Sequence, residues 1–309
     1  MSKRSLVIGS RGSKLALWQA EQARNQLIGV DPTLEVVIQI IKTTGDIKPD
    51  PLSVIGGKGV FTKELEDALL DQRIDLAVHS LKDLPTTLPQ GLSISSIGER
   101  SDPRDALVLR APRDISSLLD LPLDAIVGTS SQRRLAQLKS LRPDVTVKDL
   151  RGNVDTRLKK LDEGEYDALL LASAGLMRLG LQNRISLAIS TDEMLPAVGQ
   201  GAIAIETRAT DDFTIKKVSK LNHEATRIAC LAVRALLRTL GGGCQFPIAA
   251  HAIVDNDQLH LQGLVAAPDG SRILRESIDG SAQQPEELGS LLANRLNELG
   301  AASILHDKS

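Results

Sequence analysis

Aromatic residues are scarce in this chain, at 2% of its 309 residues, and it contains only two cysteines. With so few aromatic side chains the protein has almost no surface on which bases could stack, and its net charge of −2 provides no overall positive field. We therefore expect no nucleic-acid partner. Neither Cys230 nor Cys244 lies at metal-ligand spacing from any of the five histidines, so we also expect no metal site.

The sequence also lacks an apolar stretch long enough to cross a bilayer, and its first residues, MSKRS, lead directly into a strand-like segment without the apolar core of a signal peptide. We therefore expect a cytoplasmic protein with no membrane partner, in which a disulfide is disfavoured. A hydrophobic content of 42% with 25% charged residues is typical of a globular protein, and the length predicts two or three domains.

Two successive series of strand-like and helix-like segments predict two α/β units, each with a mostly parallel sheet. The first covers residues 5–98 and the second begins near Asp105, with a polar, proline-containing segment at residues 98–104 between them. The last third differs, because an amphipathic helix over residues 223–240 is followed by three strand-like segments and a final helix. Turn-like sequences join those three segments, so we expect an antiparallel meander in a smaller α+β domain.

Cys244 follows three glycines in the run LGGGCQFP, residues 240–247. Such a run either caps the preceding helix, with a buried cysteine beyond it, or gives the backbone the freedom to let a bulky group approach the thiol. The local sequence leaves both readings open. Cys230 lies among apolar residues of the predicted helix, and we expect it in the core.

Arginine and lysine residues cluster at the starts of three predicted helices. The segments GSRGSK (9–14), GTSSQRR (128–134) and RGNVDTR (151–157) each follow a strand and begin a helix, where backbone N–H groups can bind an anion. Arg133 and Arg134 in a first turn oppose the helix dipole, and a bound anion would relieve that conflict. The alternative for each segment is a solvated turn with a capping side chain. Three such segments at strand carboxyl ends favour a small polyanionic ligand.

Asp83 lies just after an apolar strand and shortly before Pro85. A carboxylate at this position either points into a cleft between domains or occupies an ordinary turn, and the local sequence does not decide between the two.

Taken together, these segments resemble the porphobilinogen deaminase family over nearly the whole chain, with a looser match beyond Pro247. The motifs that carry the resemblance are, in chain order, RGSKLALWQ (11–19), GGKGVF (56–61), DLAVHSLKDLP (75–85), GTSSQRR (128–134), LRGNVDTR (150–157), LPAVGQG (195–201) and GGCQFP (242–247).

The resemblance implies an enzyme that joins porphobilinogen units head to tail with loss of ammonia and releases a linear tetrapyrrole, hydroxymethylbilane. It further implies a monomer with two α/β domains of the periplasmic-binding-protein type and a smaller α+β domain that carries the cofactor cysteine. The implied domains are residues 1–99 with 196–217, residues 100–195, and residues 218–309.

The resemblance also implies roles for individual residues. Cys244 holds a dipyrromethane cofactor through a thioether and acts as an anchor, whereas Asp83 is the main catalytic residue, a buried carboxylate that stabilises cationic intermediates and handles protons. The other implied cofactor-binding residues are Ser13, Ser80, Lys82, Thr129, Ser131, Arg133, Arg134 and Asn153. The implied substrate-binding residues are Arg11, Gln19, Lys58, Phe61, Arg151, Arg157, Arg178 and Gln200.

A solute-binding or effector-sensing module is the main alternative, because two α/β lobes with an anion-binding cleft would serve that purpose as well. Such a module needs neither a catalytic carboxylate nor an anchored cofactor. Asp83 and Cys244 are therefore the residues that distinguish the two hypotheses.

Overall fold

The computed structural model describes residues 5–44, 61–243 and 246–306; two residues with predicted roles, Lys58 and Cys244, lie outside these ranges. The strands are β1 (Ser5–Ser10), β2 (Glu35–Ile40), β3 (Leu76–Ser80), β4 (Leu92–Ile97), β5 (Asp105–Leu109), β6 (Ile126–Gly128), β7 (Thr146–Lys148), β8 (Ala168–Ala172), β9 (Leu187–Ala188), β10 (Ile203–Arg208), β11 (Ile248–Asp255), β12 (Gln258–Ala266) and β13 (Ile273–Ser281). The α-helices are α1 (Lys14–Val30), α2 (Lys63–Leu70), α3 (Gln132–Leu141), α4 (Val154–Asp162), α5 (Ser173–Arg178), α6 (Asp212–Val218), α7 (Glu224–Thr239), α8 (Pro285–Glu298) and α9 (Ala301–His306).

The chain divides into two compact units, one formed by Met1–Arg100 with Ala202–Arg227 and the other by Ser101–Gly201 with Ile228–Ser309. Both are therefore discontinuous in sequence. The division into three domains expected from the resemblance stays a prediction.

The first unit contains a five-stranded sheet in the order β2-β1-β3-β10-β4. The pairings of β1 with β2 and with β3 are parallel, whereas β10 runs antiparallel to both β3 and β4. The expectation of a mostly parallel sheet is thus wrong here, because β10 arrives from a distant part of the sequence and enters against the direction of its neighbours. Leu6 and Ile8 on β1 pack against Ala20 and Leu27 on α1 and form much of the core.

The sheet formed by residues 105–188 has the order β7-β6-β8-β5-β9 and the same mixture of directions. Strand β6 is parallel to β7 and β8, whereas β5 is antiparallel to β8 and β9. The helix start predicted in the segment RGNVDTR is confirmed, since α4 begins at Val154 and Asn153 caps it with its side chain. The two α/β arrangements expected from the sequence are confirmed, with mixed sheets instead of mostly parallel ones.

The last third of the chain forms the predicted meander, an antiparallel sheet in the order β11-β12-β13. Helix α8 begins at Pro285, where the missing N–H and fixed φ of proline suit a first helical turn. Leu236, Leu292 and Val265 are fully buried in the core that this sheet shares with the helices. Cys230 is also fully buried, as predicted.

Helix α8 packs very closely at Gly289, where an added Cβ would lie 2.2 Å from the carbonyl oxygen of Ala232. We expect Gly289→Ala to lower the free energy of unfolding by about 1–3 kcal/mol or more, because backbone cannot give way as a side chain can. Gly29 in α1 is the matched control, since its added Cβ would meet nothing within 4 Å. Gly29→Ala should raise the stability by up to about 1 kcal/mol through helix propensity. Urea denaturation of both variants measures the difference, and equal effects would contradict the packing described for Gly289.

Candidate functional site

The first unit carries an open pocket at the carboxyl ends of β1 and β3, which are parallel neighbours. Parallel strands end at the same edge of a sheet, and this is where open α/β sheets bind ligands. The pocket contains about 410 Å³ of empty space. Six of its lining residues are among those predicted from the sequence, namely Arg11, Ser13, Gln19, Phe61, Ser80 and Asp83.

Direct contacts hold several of these side chains in place. Gln19 is buried on α1, and its Nε2 donates a hydrogen bond of 2.8 Å to Ser80 Oγ at the end of β3. The Arg11 guanidinium lies over the Phe61 ring, 4.2 Å from the ring centroid, in a cation–π contact. Ser13 Oγ accepts a hydrogen bond of 3.3 Å from the backbone N–H of Ala16, so Ser13 caps α1, and its cofactor-binding role stays a prediction. The pocket is therefore built from segments that are far apart in sequence.

Asp83 ends a short 3-10 turn, Leu81–Asp83, that directly follows β3. Within this turn Leu81 points into the core and is almost completely buried, whereas the side chain of Asp83 is exposed at the pocket. Burial of this carboxylate during the reaction stays a prediction. Of the three residues in this turn, Leu81 is buried, Lys82 is half-buried and Asp83 is exposed.

In the second unit, Arg133 and Arg134 are buried and both bind the carboxylate of Asp105 at the start of β5. Arg133 Nη1 lies 2.6 Å from Asp105 Oδ2, and Arg134 Nη2 lies 2.8 Å from Asp105 Oδ1. Burial by itself would raise the pKa of Asp105, but the two guanidinium charges hold that pKa well below its usual range. The anion that relieves the helix-dipole conflict is thus part of the chain. One carboxylate offsets only one of the two guanidinium charges, and the cofactor-binding role of Arg133 and Arg134 stays a prediction.

Two of the predicted substrate-binding residues, Gln200 and Arg178, also lie in or beside this buried network. Gln200 Nε2 donates to the Pro103 carbonyl oxygen at 2.8 Å and to Asp105 Oδ1 at 2.9 Å. Arg178 Nη2 donates to the Gly201 carbonyl oxygen at 2.6 Å, and burial lowers the pKa of Arg178 to about 10. Both side chains hold the backbone of the segments near residues 103 and 201, while contact with substrate stays a prediction for each.

The remaining predicted residues of this unit lie at the ends of β6 and β7, which are parallel neighbours. Ser131 caps α3 through a hydrogen bond of 3.4 Å from the Arg134 backbone N–H, and Thr129 Oγ1 accepts one of 3.2 Å from the Ser131 backbone N–H. Asn153 Oδ1 likewise accepts a hydrogen bond of 2.9 Å from the Thr156 backbone N–H. A capping side chain is therefore present at both helix starts, and cofactor binding by Thr129, Ser131 and Asn153 stays a prediction.

Arg151 and Arg157 are half-buried beside these caps. Arg151 Nε donates to Asp149 Oδ2 at 2.9 Å, and Arg157 Nε donates to the Gly152 carbonyl oxygen at 2.8 Å. Their partial exposure distinguishes them from Arg133 and Arg134, which bind Asp105 out of contact with solvent. Binding of substrate by either residue stays a prediction.

The first two glycines before Cys244 are needed for structural reasons, Gly241 for a helix cap and Gly242 for close packing. Gly241 ends α7 with φ at 67°, and the N–H of Gly242 donates to the Leu237 carbonyl oxygen at 3.2 Å, which is the hydrogen bond of a Schellman cap. An added Cβ on Gly242 would lie 2.2 Å from Ile248, whereas one on Gly243 would meet nothing within 4 Å. The cap predicted as one alternative is present, and the third glycine stands in open space.

Three buried acid–base groups in the first unit escaped the sequence analysis: Glu66 on α2, His79 on β3 and Glu206 on β10. Their exposed fractions are 7%, 5% and 0%, and His79 Nε2 lies 3.1 Å from Glu206 Oε2. His79 also lines the pocket. For His79 and Glu206 the available signal was a titratable residue inside an otherwise apolar strand segment, since such residues are seldom buried.

Among residues 5–44, 61–243 and 246–306, no three histidine, cysteine, aspartate or glutamate side chains are grouped so as to hold a metal ion. Over those residues, no helix combines the length and the apolar character that crossing a membrane requires.

The buried network predicts a strong effect for Asp105→Asn. We expect this variant to lower the free energy of unfolding by about 3–5 kcal/mol at pH 7, because it leaves two buried guanidinium groups without their counter-ion. The pKa of Asp105 is depressed on folding, so this stabilisation is present above the ordinary value of 3.8 and is lost as the pH falls below it. Denaturation at pH 7 and pH 3 measures the difference.

Asp162 provides the control for this experiment, because it pairs with Arg184 at 2.6 Å on the surface, with 53% of its side chain exposed. Asp162→Asn should change the stability by less than about 1 kcal/mol at either pH. An Asp105→Asn variant as stable as Asp162→Asn would contradict the structural role assigned to the network.

The chain matches two family models, "Porphobilinogen deaminase, dipyromethane cofactor binding domain" over residues 6–216 and "Porphobilinogen deaminase, C-terminal domain" over residues 227–298. Similar curated proteins include porphobilinogen deaminase of Chlorobium luteolum, 50% identical over 99% of this chain and 98% of the relative. Porphobilinogen deaminase of Chlorobium limicola is 49% identical with the same coverage.

Similar solved structures include substrate binding domain 2 of Lactococcus lactis GlnP in its open conformation, with 14% identity and a TM-score of 0.46 over 78% of this chain and 92% of that one. Another is the periplasmic aliphatic sulphonate binding protein SsuA of Escherichia coli, with 18% identity and a TM-score of 0.42 over 77% of this chain and 71% of that one. The two family models and the near full-length relatives, about half of whose residues are identical, show that this chain belongs to the porphobilinogen deaminase family.

Proposed function

We propose that this protein is a hydroxymethylbilane synthase, which polymerises porphobilinogen with loss of ammonia to give the linear tetrapyrrole hydroxymethylbilane in tetrapyrrole biosynthesis. Family membership over almost the whole chain supports the reaction. The observation that carries the proposal to particular residues is the pocket of the first unit, which brings Arg11, Ser13, Ser80 and Asp83 together.

Asp83 is the residue to which we assign the charge-stabilising role. When the amino group of the aminomethyl substituent of porphobilinogen leaves as ammonia, the methylene carbon stays behind, and this carbon and the ring become positively charged. A carboxylate at the pocket stabilises that charge and can accept or return a proton. Asp83 is exposed in the free protein, so a bound substrate would displace water from it and thereby strengthen its interaction with the cation.

Each porphobilinogen also brings an acetate and a propionate group into the protein. Two carboxylates about 6 Å apart repel each other by roughly 3 kcal/mol at an effective dielectric constant near 20. Charge-assisted hydrogen bonds from guanidinium groups, at about 1.5–3 kcal/mol each, offset this repulsion. Arg11 is placed for this at the pocket, with Lys82 next to Asp83. The partly exposed Arg151 and Arg157 are the candidates in the second unit.

The residues at the pocket suit the dipyrromethane cofactor named by the matching family model. A dipyrromethane made from this substrate carries carboxylates and ring N–H groups, and the pocket offers a guanidinium, two hydroxyls and a carboxylate from Arg11, Ser13, Ser80 and Asp83. We assign its covalent attachment, through a thioether, to Cys244, which lies outside the described residues. When bound, the cofactor supplies the pyrrole from which the product chain is extended.

The location, the oligomeric state, the absence of macromolecular partners and the third domain are also part of the proposal. A cytoplasmic monomer with no nucleic-acid or membrane partner is consistent with the net charge of −2 and the low aromatic content. A third domain beginning near residue 218 is supported by the separate C-terminal family model, which starts at residue 227.

The attachment at Cys244 predicts the mass of the purified protein. We expect the intact mass to exceed the sequence mass by two linked pyrrole units in the parent and in Cys230→Ser, because Cys230 is buried in the core. Cys244→Ser should show the sequence mass alone. Intact-mass spectrometry decides this, and active parent protein of unmodified mass would rule out a covalent cofactor.

The role of Asp83 predicts that Asp83→Ala lowers kcat by about 100-fold or more, as expected for the loss of a group that stabilises charge in the transition state. Its exposure predicts a change in stability within about 0.5 kcal/mol. Ammonia release from porphobilinogen measures turnover, and Asp71→Ala is the control, because Asp71 is an exposed residue at the end of α2. If Asp83→Ala turned over as fast as Asp71→Ala, its assigned role would be wrong.

A further inference from the structure

Glu66, His79 and Glu206 lie close together in the first unit, and His79 also lines the pocket. The sheet register explains why His79 and Glu206 meet. Strands β3 and β10 are antiparallel neighbours, with His79 opposite Ala204 and Glu206 opposite Ala77. Side chains alternate along a strand, so His79 and Glu206 lie on the same face of the sheet, and their side chains meet at 3.1 Å. Helix α2 packs on β3 and β10 and contributes Glu66. This acid cluster, as we call the three residues, joins three elements.

The acid cluster contains carboxyl oxygens that are buried without a hydrogen-bond partner. Among the residues that the structure describes, Glu66 Oε1 and Glu206 Oε1 have neither solvent contact nor a partner. The charged groups that act on Glu66 are Glu206, His79 and Asp67, and Asp67 is itself partly exposed and paired with Lys63 at 2.8 Å. The acid cluster therefore has two carboxyl groups and one base.

The number of protons on the acid cluster determines its net charge. Burial of an uncompensated charge is strongly unfavourable, and the cluster is neutral when two protons are shared among its three groups. Burial raises the pKa of Glu66, and the nearby charge of Glu206 adds to that rise. Glu66 is therefore the group of the cluster that keeps a proton most readily, and a hydrogen bond of 3.1 Å joins His79 Nε2 to Glu206 Oε2.

We propose that the acid cluster is a proton-sharing element in which protonated Glu66 positions the His79–Glu206 pair, and that this pair adjusts the charge of the pocket wall during turnover. The proposal rests on the proposed function for the positive charge that arises in the pocket. In the step concerned, the His79 Nε2–H bond breaks and an O–H bond forms on Glu206 Oε2, so the imidazolium becomes neutral and no proton leaves the cluster. The transfer leaves the net charge unchanged and removes the dipole of the pair, whose positive end, His79, lines the pocket where the substrate becomes cationic.

The role of Glu66 in this arrangement follows from its position. If Glu66 loses its proton, two buried carboxylates repel each other and compete for His79, which lines the pocket. Turnover should then fall as the pH rises, and a glutamine at position 66, which cannot ionise, should remove that fall. Glu66 is thus a positioning residue that acts through His79.

The protonation of Glu66 is tested directly by infrared spectroscopy of the purified holoprotein, which resolves the C=O stretch of a protonated carboxyl from that of a carboxylate. We expect the parent to show a protonated carboxyl at pH 7 and Glu66→Gln to lack it. Asp67→Asn is the matched control on the same helix and should keep the band. Absence of the band in the parent, or its persistence in folded Glu66→Gln, would overturn the proposal.

The functional consequence is tested by the pH dependence of kcat. We expect the high-pH fall in kcat of the parent to move upward by about one pH unit or more in Glu66→Gln and to stay in place in Asp67→Asn. Glu206→Gln, which removes the acceptor of the shared proton, should lower kcat by about tenfold or more across the profile. An identical high-pH fall in the parent and Glu66→Gln would overturn the positioning role. A parent without turnover of porphobilinogen would refute the proposed function instead, and the infrared spectra would still decide the protonation of Glu66.

Discussion

The parallel pairing of β1 with β3 is the constraint on which the first unit and its pocket depend. Ile8 pairs with Leu76, so the two strands end together and deliver Arg11 and Asp83 to one edge of the sheet although 72 positions separate them in sequence. The hydrogen bond between Gln19 and Ser80 then joins the helix after β1 to the end of β3. A shift of one residue in this register would turn every side chain of the strand end to the opposite face.

Buried charge is handled differently in the two units. In the second unit, two guanidinium groups and an amide satisfy the carboxylate of Asp105 completely, which makes this network rigid and strongly ionised. In the first unit, Glu66 and Glu206 are buried with oxygens that lack partners, and no comparable set of donors surrounds them within the described residues. The first arrangement suits a structural role, whereas incomplete satisfaction leaves the second free to respond to its surroundings.

Local sequence patterns predicted the helices and strands well, because caps, turns and hydrophobic periodicity involve residues a few positions apart. The cap at Asn153 and the meander of β11 to β13 are examples. Strand direction in the sheets was not predictable in this way, since it depends on where β10 returns from a distant part of the chain. For the same reason the sequence could not show that Asp105 binds two arginines 28 and 29 residues away.

The candidate site was predictable in part. The strand-to-helix patterns and the family motifs identified Arg11, Ser13 and Asp83, all of which line the pocket. Exposure of Asp83 was not predictable, because it depends on which residue of a three-residue turn faces the core. Glu66 escaped notice since an amphipathic helix tolerates glutamate anywhere on its surface, and only packing on β10 makes this position an interior one.

The hydrogen bonds around residues 101 and 201 have a consequence for how the chain is threaded. The backbone N–H of Ser101 donates to the Gly201 carbonyl oxygen at 3.1 Å, and Gln200 reaches back to Pro103. These hydrogen bonds hold together the two ends of the segment formed by residues 101–201. Chain ends that lie close together are the geometry that permits the insertion of one domain into another. Because the chain leaves and returns at one point, it can pass from β4 through the whole segment and still place β10 between β3 and β4. The chain therefore leaves the first unit after Arg100 and re-enters it at Ala202 through residues that are hydrogen-bonded to each other.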